Sequence, residues 1–402
     1  MNIYEYQAKR IFKNFGISIP AGMIAYTPME AKTSALKVSQ DGPWIIKAQI
    51  QAGARRNGKF LDKRAGKQGG IRLVKNIDDV YKNADEMLEN TLVTKQTDAK
   101  GRLVSRVYVE EYIRVSKKFY LGIVSDRISA SAMLLIMPLE ENNDEDILDK
   151  SIENTENVLK INLGLHKTIA GDALQKTIDF MQYTGDKSSL KSFFNKALKI
   201  FYANDATMLE INPVGIQKNG QIWALDAKIM FDDNALYRHN DILKLSDEVG
   251  IDERESTASK YGFQYKELDN GIGIITNGSG LALNIINEAQ KQNLETACFL
   301  NLKGGVDRDK IAASIRLIMT NPTVDGIFIN ILGGFSRCNL IADGIIAVAN
   351  DLGLNIPLVA RFEGTNKEEA INILQSSGLP LKIAPDTYTG LTMLKEAIEE
   401  DL

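Results

Sequence analysis

Between residues 271 and 377 one phrase recurs: a short apolar run, a glycine-bearing turn, then a stretch of helical periodicity. Gly271–Thr276 leads through Asn277-Gly278-Ser279-Gly280 into a helix ending at Lys291. Residues 297–302 lead through Lys303-Gly304-Gly305 into a helix ending at Met319. Residues 326–332 lead through Gly333-Gly334 into a helix ending at Leu352, and 356–362 through Glu363-Gly364-Thr365-Asn366 into one ending at Ser377. A helix between successive strands carries the chain back before the next strand begins, so the phrase predicts a doubly wound parallel sheet with helices on both faces. Ligands of such sheets sit outside the carboxyl ends of the strands, where these turns fall. The turns are candidate sites, against the plainer reading that their glycines only make tight βα connections.

The first half reads differently. Helical spacing covers 4–15. Strands are expected over 44–50, Ile71–Val74, 104–111 and 118–126, and a helix over 78–90. A long polar loop with glycines at 53, 58, 66, 69 and 70 follows the 44–50 strand, and residues 147–156 read as an acidic surface segment. Residues 241–260 are charged and lack a strand, as a linker helix would. The 402 residues therefore divide into domains 1–245 and 246–402.

The charge balance of 48 basic and 52 acidic residues, net −4, disfavours a protein that coats nucleic acid, and no apolar run reaches the ~18 residues of a membrane span. Neither nucleic acid nor membrane is an expected partner. Two cysteines, Cys298 and Cys338, make neither a disulfide framework nor a four-cysteine zinc site, and a reducing cytoplasmic setting is expected. Two histidines, His166 and His239, have no cysteine near them, and no Gly-x-Ser-x-Gly elbow accompanies them.

The sharpest chemical pattern is Leu209-Glu210-Ile211-Asn212-Pro213, then Lys218-Asn219-Gly220, then Leu225-Asp226-Ala227-Lys228. Asn-Gly between apolar runs predicts a hairpin. Side chains alternate along a strand, so Glu210 shares a face with Asn212, and Asp226 with Lys228, while Leu209, Ile211, Leu225 and Ala227 turn to the core. An amide oxygen and a carboxylate are hard donors suited to Mg²⁺, and the lysine suits phosphate. The plainer alternative is a hairpin with a solvated polar face. Lys47 on its strand, followed by the glycine loop, is a weaker phosphate signal, because no Walker ending is present.

These residues carry a resemblance to the succinate–CoA ligase β-subunit family along nearly the whole chain. It rests on Met1-Asn2-Ile3 with Glu5-Tyr6-Gln7-Ala8-Lys9, Ile46-Lys47-Ala48-Gln49, Leu92-Val93-Thr94-Lys95-Gln96-Thr97 and Leu209-Glu210-Ile211-Asn212-Pro213. Leu225-Asp226-Ala227-Lys228 with Phe231-Asp232-Asp233-Asn234-Ala235-Leu236 is the most specific stretch, and Asn277-Gly278-Ser279-Gly280, Gly333-Gly334 with Arg337-Cys338, and Gly364-Thr365-Asn366 complete it. The resemblance implies an N-terminal ATP-grasp domain followed by a flavodoxin-like domain. It also implies an α-subunit partner that brings most of the CoA site and a transiently phosphorylated histidine. The implied nucleotide, ATP or GTP, is bound by Lys47, Gly53, Ala54, Arg55, Arg56, Glu110, Ile113 and Lys118. Asn212 and Asp226 are the implied Mg²⁺ ligands, and Glu210 the implied catalytic residue beside the phosphohistidine. Asn277, Gly334, Phe335 and Ser336 fall where the family binds its carboxylate substrate.

The sequence departs from the family at several loops. His-Ala-Gly-Gly-Arg-Gly-Lys becomes Gln51-Ala52-Gly53-Ala54-Arg55-Arg56-Asn57, with a following insertion. Lys118 replaces a glutamate, Met137-Pro138-Leu139-Glu140-Glu141 replaces a Ser-Thr-Glu-Gly-Gly segment, and Asn301-Leu302-Lys303-Gly304-Gly305 replaces Asp-Val-Gly-Gly-Gly. Phe335-Ser336 stands where an aliphatic pair is common. With Glu210, Asn212, Asp226 and Lys228 retained, the expectation is a working acid–CoA ligase with succinate as its acid. A malate–CoA ligase β subunit and a catalytically impaired assembly paralogue are the alternatives.

Overall fold

A computed structural model describes residues 1–139, 157–164, 166–246, 253–334 and 336–401. The segment 147–156 and Phe335 lie outside the described residues, as do Glu140 and Glu141. The chain forms two compact units, Met1–Gly250 and Ile251–Leu402.

The first unit holds two main sheets. One is four-stranded and antiparallel, in the order Gly22–Ala25, Val107–Glu111, Trp44–Ala48, Ile71–Val74. Helices Pro28–Val38 and Ile77–Met87 cover one face of it through Ala31, Ala35, Val80, Ala84 and Met87, against Trp44, Ile46, Val107 and Val109. By the period-two rule the intervening Ile45, Lys47, Tyr108 and Glu110 belong to the opposite face. The other sheet runs Leu159–Asn162, Ser131–Pro138, Lys117–Asp126, Ala206–Ile216, with Ile222–Ala224 and Lys228–Phe231 both pairing to the Ala206–Ile216 strand. Helices Glu5–Asn14 and Lys187–Ala203 bury Ala8, Phe12, Phe193, Phe194 and Ala197 against its Phe119, Leu121, Leu209 and Ile211. This again leaves Lys118, Glu210 and Asn212 on the other face.

The glycine loop is more structured than its composition suggests. It contains 3-10 turns at Arg55–Asn57 and Lys63–Ala65 and the short strand Lys59–Phe60 in a three-stranded side sheet.

The second unit is a six-stranded sheet, Gln264–Glu267, Thr296–Asn301, Gly271–Thr276, Val324–Gly333, Leu358–Gly364, Leu381–Ile383. All neighbours are parallel except the Gln264–Glu267 edge, which the sequence reading missed. Numbered from Gly271–Thr276, the parallel strands lie in the order 2-1-3-4-5, the flavodoxin-like winding. Helices Arg308–Met319, Cys338–Leu352 and Lys367–Gln375 pack one face, and Ser279–Lys291 and Thr387–Asp401 the other. The doubly wound fold expected from the repeat is borne out. Gly364 is required where the central strands end: its φ is +122°, and a Cβ there would lie 1.8 Å from the Gly333 carbonyl oxygen. Among the described residues no helix is long and apolar enough to cross a membrane.

Candidate functional site

The free faces of the two sheets in the first unit enclose a cavity of about 280 Å³. Lys47 and Glu110 enter from the four-stranded sheet, and Lys118, Glu210 and Asn212 from the larger one. Gly53, Ala54, Arg55 and Arg56 supply the glycine-loop wall, Ile113 the segment between the sheets, and Asp226 and Lys228 the rim of the hairpin. Every residue expected to touch nucleotide or metal thus lines one space.

The hairpin has the predicted tight end: the Gly220 N–H donates to Gln217 O at 2.9 Å, and Gly220 takes φ +84°. Its return differs from expectation. Pro213 has no N–H for the ladder, and the register shifts between Ile211 and Val214. Ile222–Ala224 pairs with Val214–Ile216, then residues 225–227 leave the sheet before Lys228 pairs opposite Glu210. Asp226 is therefore in a short link rather than on a strand. Leu225, expected in the core, lines the cavity instead, and its carbonyl oxygen accepts from both Lys9 and Lys47 at 2.8 Å.

A buried set of charges anchors the site. Glu5 holds Lys47 at 2.7 Å, Arg55 at 2.7 Å and Lys9 at 3.0 Å. Glu110 holds Lys47 at 2.6 Å and also pairs with Lys9. Arg55 reaches Asp226 at 2.9 Å. Three cations thus meet three carboxylates, with Lys9 wholly inaccessible and Glu110 and Glu5 nearly so. Burial would push the Glu5 carboxyl up, but Lys47, Lys9 and Arg55 hold it well below its ordinary value. Burial works against the Lys9 ammonium too, and Glu110 and Glu5 more than offset it. Asp226 goes the other way: burial and the Glu5 charge push it up to about 6, against Arg55, Lys47 and Lys9. Burial also raises Glu210, opposed by Lys228 and by a hydrogen bond from Asn212.

Glu5 and Lys9 were missed as site residues. Their one sequence signal is the Glu-to-Lys spacing of four on a helix, which is far more often a surface pair. Ala54, where the family has a glycine, takes φ +57°, a conformation roughly 1 kcal/mol less favourable for an L side chain.

The donor set fits a hard divalent cation. Asn212 donates through its amide nitrogen to Glu210, which leaves its oxygen as a ligand atom beside the Asp226 carboxylate in the same cavity. Among the described residues no cluster of three or more His, Cys, Asp or Glu could hold a metal by itself. Two protein oxygens are what Mg²⁺ commonly takes when phosphates and water complete its shell. His166 is exposed and His239 pairs with Asp205 at 2.5 Å; neither lines the cavity.

In the second unit Asn277 and Gly333-Gly334 follow the two strands at the point where strand order reverses. The Asn277 side chain clasps Leu332, donating to its O at 2.7 Å and accepting from its N–H at 3.0 Å. Gly334 adjoins this clasp. Ser336 is not the cap of the following helix, which is Arg337. Its buried hydroxyl oxygen instead accepts the Val306 N–H at 3.1 Å.

The description of an ATP-grasp domain matches residues 2–216, and that of a CoA-ligase matches 275–388. The β subunit of ADP-forming succinate–CoA ligase from Rhodopseudomonas palustris (strain BisB18) is 38% identical over 402 residues, 100% of both chains. The chain belongs to the succinate–CoA ligase β-subunit family. A second member, the same subunit from Acidiphilium cryptum (strain JF-5), is 39% identical over 404 residues, again 100% of both. As a family member the chain is part of a nucleotide-dependent acid–thiol ligase with the expected domain order. An ATP citrate lyase from Methanothrix soehngenii, solved with citrate and coenzyme A, has a TM-score of 0.71 to it over 98% of this chain and 99% of that one. At 13% identity that likeness concerns the family's fold alone.

Proposed function

We propose that this chain is the β subunit of a cytoplasmic succinate–CoA ligase that works with an α partner. In this reading ATP or GTP enters the cavity of the first unit, and its γ-phosphoryl passes to a histidine of the α partner. Succinate takes the phosphoryl from that histidine as an acyl phosphate, and CoA, held mainly by the α partner, displaces phosphate to give succinyl-CoA. The observation that carries the reading is the meeting of Glu210, Asn212, Asp226 and Lys228 with Lys47 and Arg55 around one cavity.

Asn212 and Asp226 would hold Mg²⁺, which when bound neutralises the phosphate oxygens and leaves the phosphorus open to attack. Lys47 and Arg55 would face the triphosphate, and Glu5 and Glu110 fix Lys47 before it arrives, so little reorganisation of that ammonium is needed at the moment of transfer. Glu210 is the group that would accept the ring N–H of the incoming imidazole and keep its other nitrogen aimed at the phosphoryl. Lys228, opposite it in register, opposes the burial that raises that carboxyl. In the second unit the N–H groups around Gly334, at a strand-to-helix turn, suit a carboxylate. Ser336 is buried and its oxygen accepts the Val306 N–H, so its hydroxyl is withdrawn from the surface an acid would reach, which supports succinate over a hydroxy acid such as malate.

The reading is tested by co-expressing the chain with candidate α subunits and assaying thioester formation against a panel of acids and nucleotides. The expected result is succinyl-CoA formation only with the α partner present. Thioester formation by the isolated chain, or a clear preference for malate, would contradict it.

A further inference from the structure

We propose that Arg55 is a built-in counter-ion for Asp226, holding that carboxylate while metal and nucleotide are absent and releasing it when they bind. The inference rests on the reading of Asp226 as a metal ligand and adds how the chain holds that ligand in place beforehand.

The geometry is that of a seat already filled by a cation. Arg55 Nη2 lies 2.7 Å from Glu5 Oε2 and 2.9 Å from Asp226 Oδ2, while Nη1 donates to the Ala48 carbonyl at 3.0 Å. The other Asp226 oxygen accepts the Ala227 N–H at 2.7 Å. Both carboxylate oxygens are therefore engaged. A divalent ion arriving on Asp226 would stand next to a guanidinium on the same carboxylate, inside a site with little water to screen the repulsion. The two cations would compete for the one carboxylate. Glu5 gives Arg55 a second carboxylate to stay on, so the exchange strands no charge.

The backbone permits it. The Arg55 carbonyl is pinned by the Gly70 N–H at 2.7 Å and the Gly58 N–H at 3.2 Å. Asp226 sits in the link between two strands rather than within a ladder. Rotation of one side chain accomplishes the change without refolding the loop. A guanidinium so released points its fork into the cavity, where its geometry matches phosphate oxygens.

The test is Mn²⁺ binding to the full-length chain without nucleotide, followed by electron paramagnetic resonance. Arg55→Met should tighten Mn²⁺ binding ~10-fold, the order expected when a competing like charge leaves a buried site. Arg55→Lys, which keeps the charge but cannot reach Glu5 and Asp226 together, should tighten it ~3-fold and serves if the methionine variant does not fold. Unchanged or weaker binding in whichever variant keeps the wild-type melting transition overturns the proposal. Asp226→Asn, alone and combined with Arg55→Met, separates the two claims. If it abolishes Mn²⁺ binding while Arg55→Met gives no gain, Asp226 is a ligand and only the counter-ion role fails. If Mn²⁺ binding survives Asp226→Asn, the ligand reading fails and takes this proposal with it.

Discussion

The two units place their sites by opposite means. In the second unit the turns at Asn277 and Gly334 are local products of consecutive strands and helices, and the clasp between Asn277 and Leu332 ties neighbouring strand ends. In the first unit the site exists only through contacts between remote residues: Glu5 with Lys47 and Arg55, Lys9 with Glu110, Arg55 with Asp226. A strand-end turn needs little beyond its own βα unit. A buried ion network needs every partner, because each charge left alone inside a protein is costly. The first unit should therefore respond to single charge removals far more than the second responds to single polar ones.

The largest effect that could break this contrast is on Lys9. Lys9→Met leaves Glu110 and Glu5 sharing Lys47 and Arg55, and should cost about 3–5 kcal/mol, the range for breaking a buried pair. Urea unfolding followed by a signal from the first unit measures it. A loss within the scatter of surface substitutions would mean that the network is not what holds the site.

A pH profile sharpens the contrast next. Burial and the Glu5 charge raise the metal-free Asp226 carboxyl to about 6, so acid protonates the proposed metal ligand. With Mg²⁺ kept below saturation, phosphorylation of the α partner should fall as pH drops through about 6, ahead of any loss of fold. A flat profile between pH 7 and 5 would place the titrating group elsewhere.

The smallest effect belongs to the second unit. Ser336→Ala removes the acceptor of the buried Val306 N–H and should cost about 1 kcal/mol, with equal effects on kcat/KM for succinate and malate. A selective loss with malate would instead make Ser336 a reader of the substrate hydroxyl.

Legibility in the sequence followed the same division. The helix bounds at Lys291, Met319 and Leu352 and the strand Gly271–Thr276 were readable because period and punctuation are local. The antiparallel Gln264–Glu267 edge was not read, although Phe263-Gln264-Tyr265-Lys266 alternates apolar and polar, because the alternation is only four residues long and adjoins the charged stretch taken for a linker. In the first unit, strand alternation put Glu210 and Asn212 on one face, while Lys47 and Glu110 were named for the nucleotide only by the family resemblance. Neither could say that the faces of the two sheets meet. Asp226 was singled out correctly for the cavity but for the wrong reason, because the returning strand breaks at residues 225–227. Glu5 and Lys9 belong to the opening motif of the family resemblance, which by itself assigns them no role. An i,i+4 pair becomes a site only when another sheet closes over it, and nothing in ten residues of helix records that.

The central claim is that the cavity of the first unit drives phosphoryl transfer to the α partner through a ligand set that includes Asp226. Its most direct test is mass-spectrometric detection of phosphohistidine on the α subunit after incubation with Mg²⁺ and nucleoside triphosphate, comparing wild type with Asp226→Ala. The account predicts phosphorylated α subunit with the wild-type chain and none above background with the variant, assayed at a temperature where the variant is still folded. Normal phosphorylation with Asp226→Ala would contradict it.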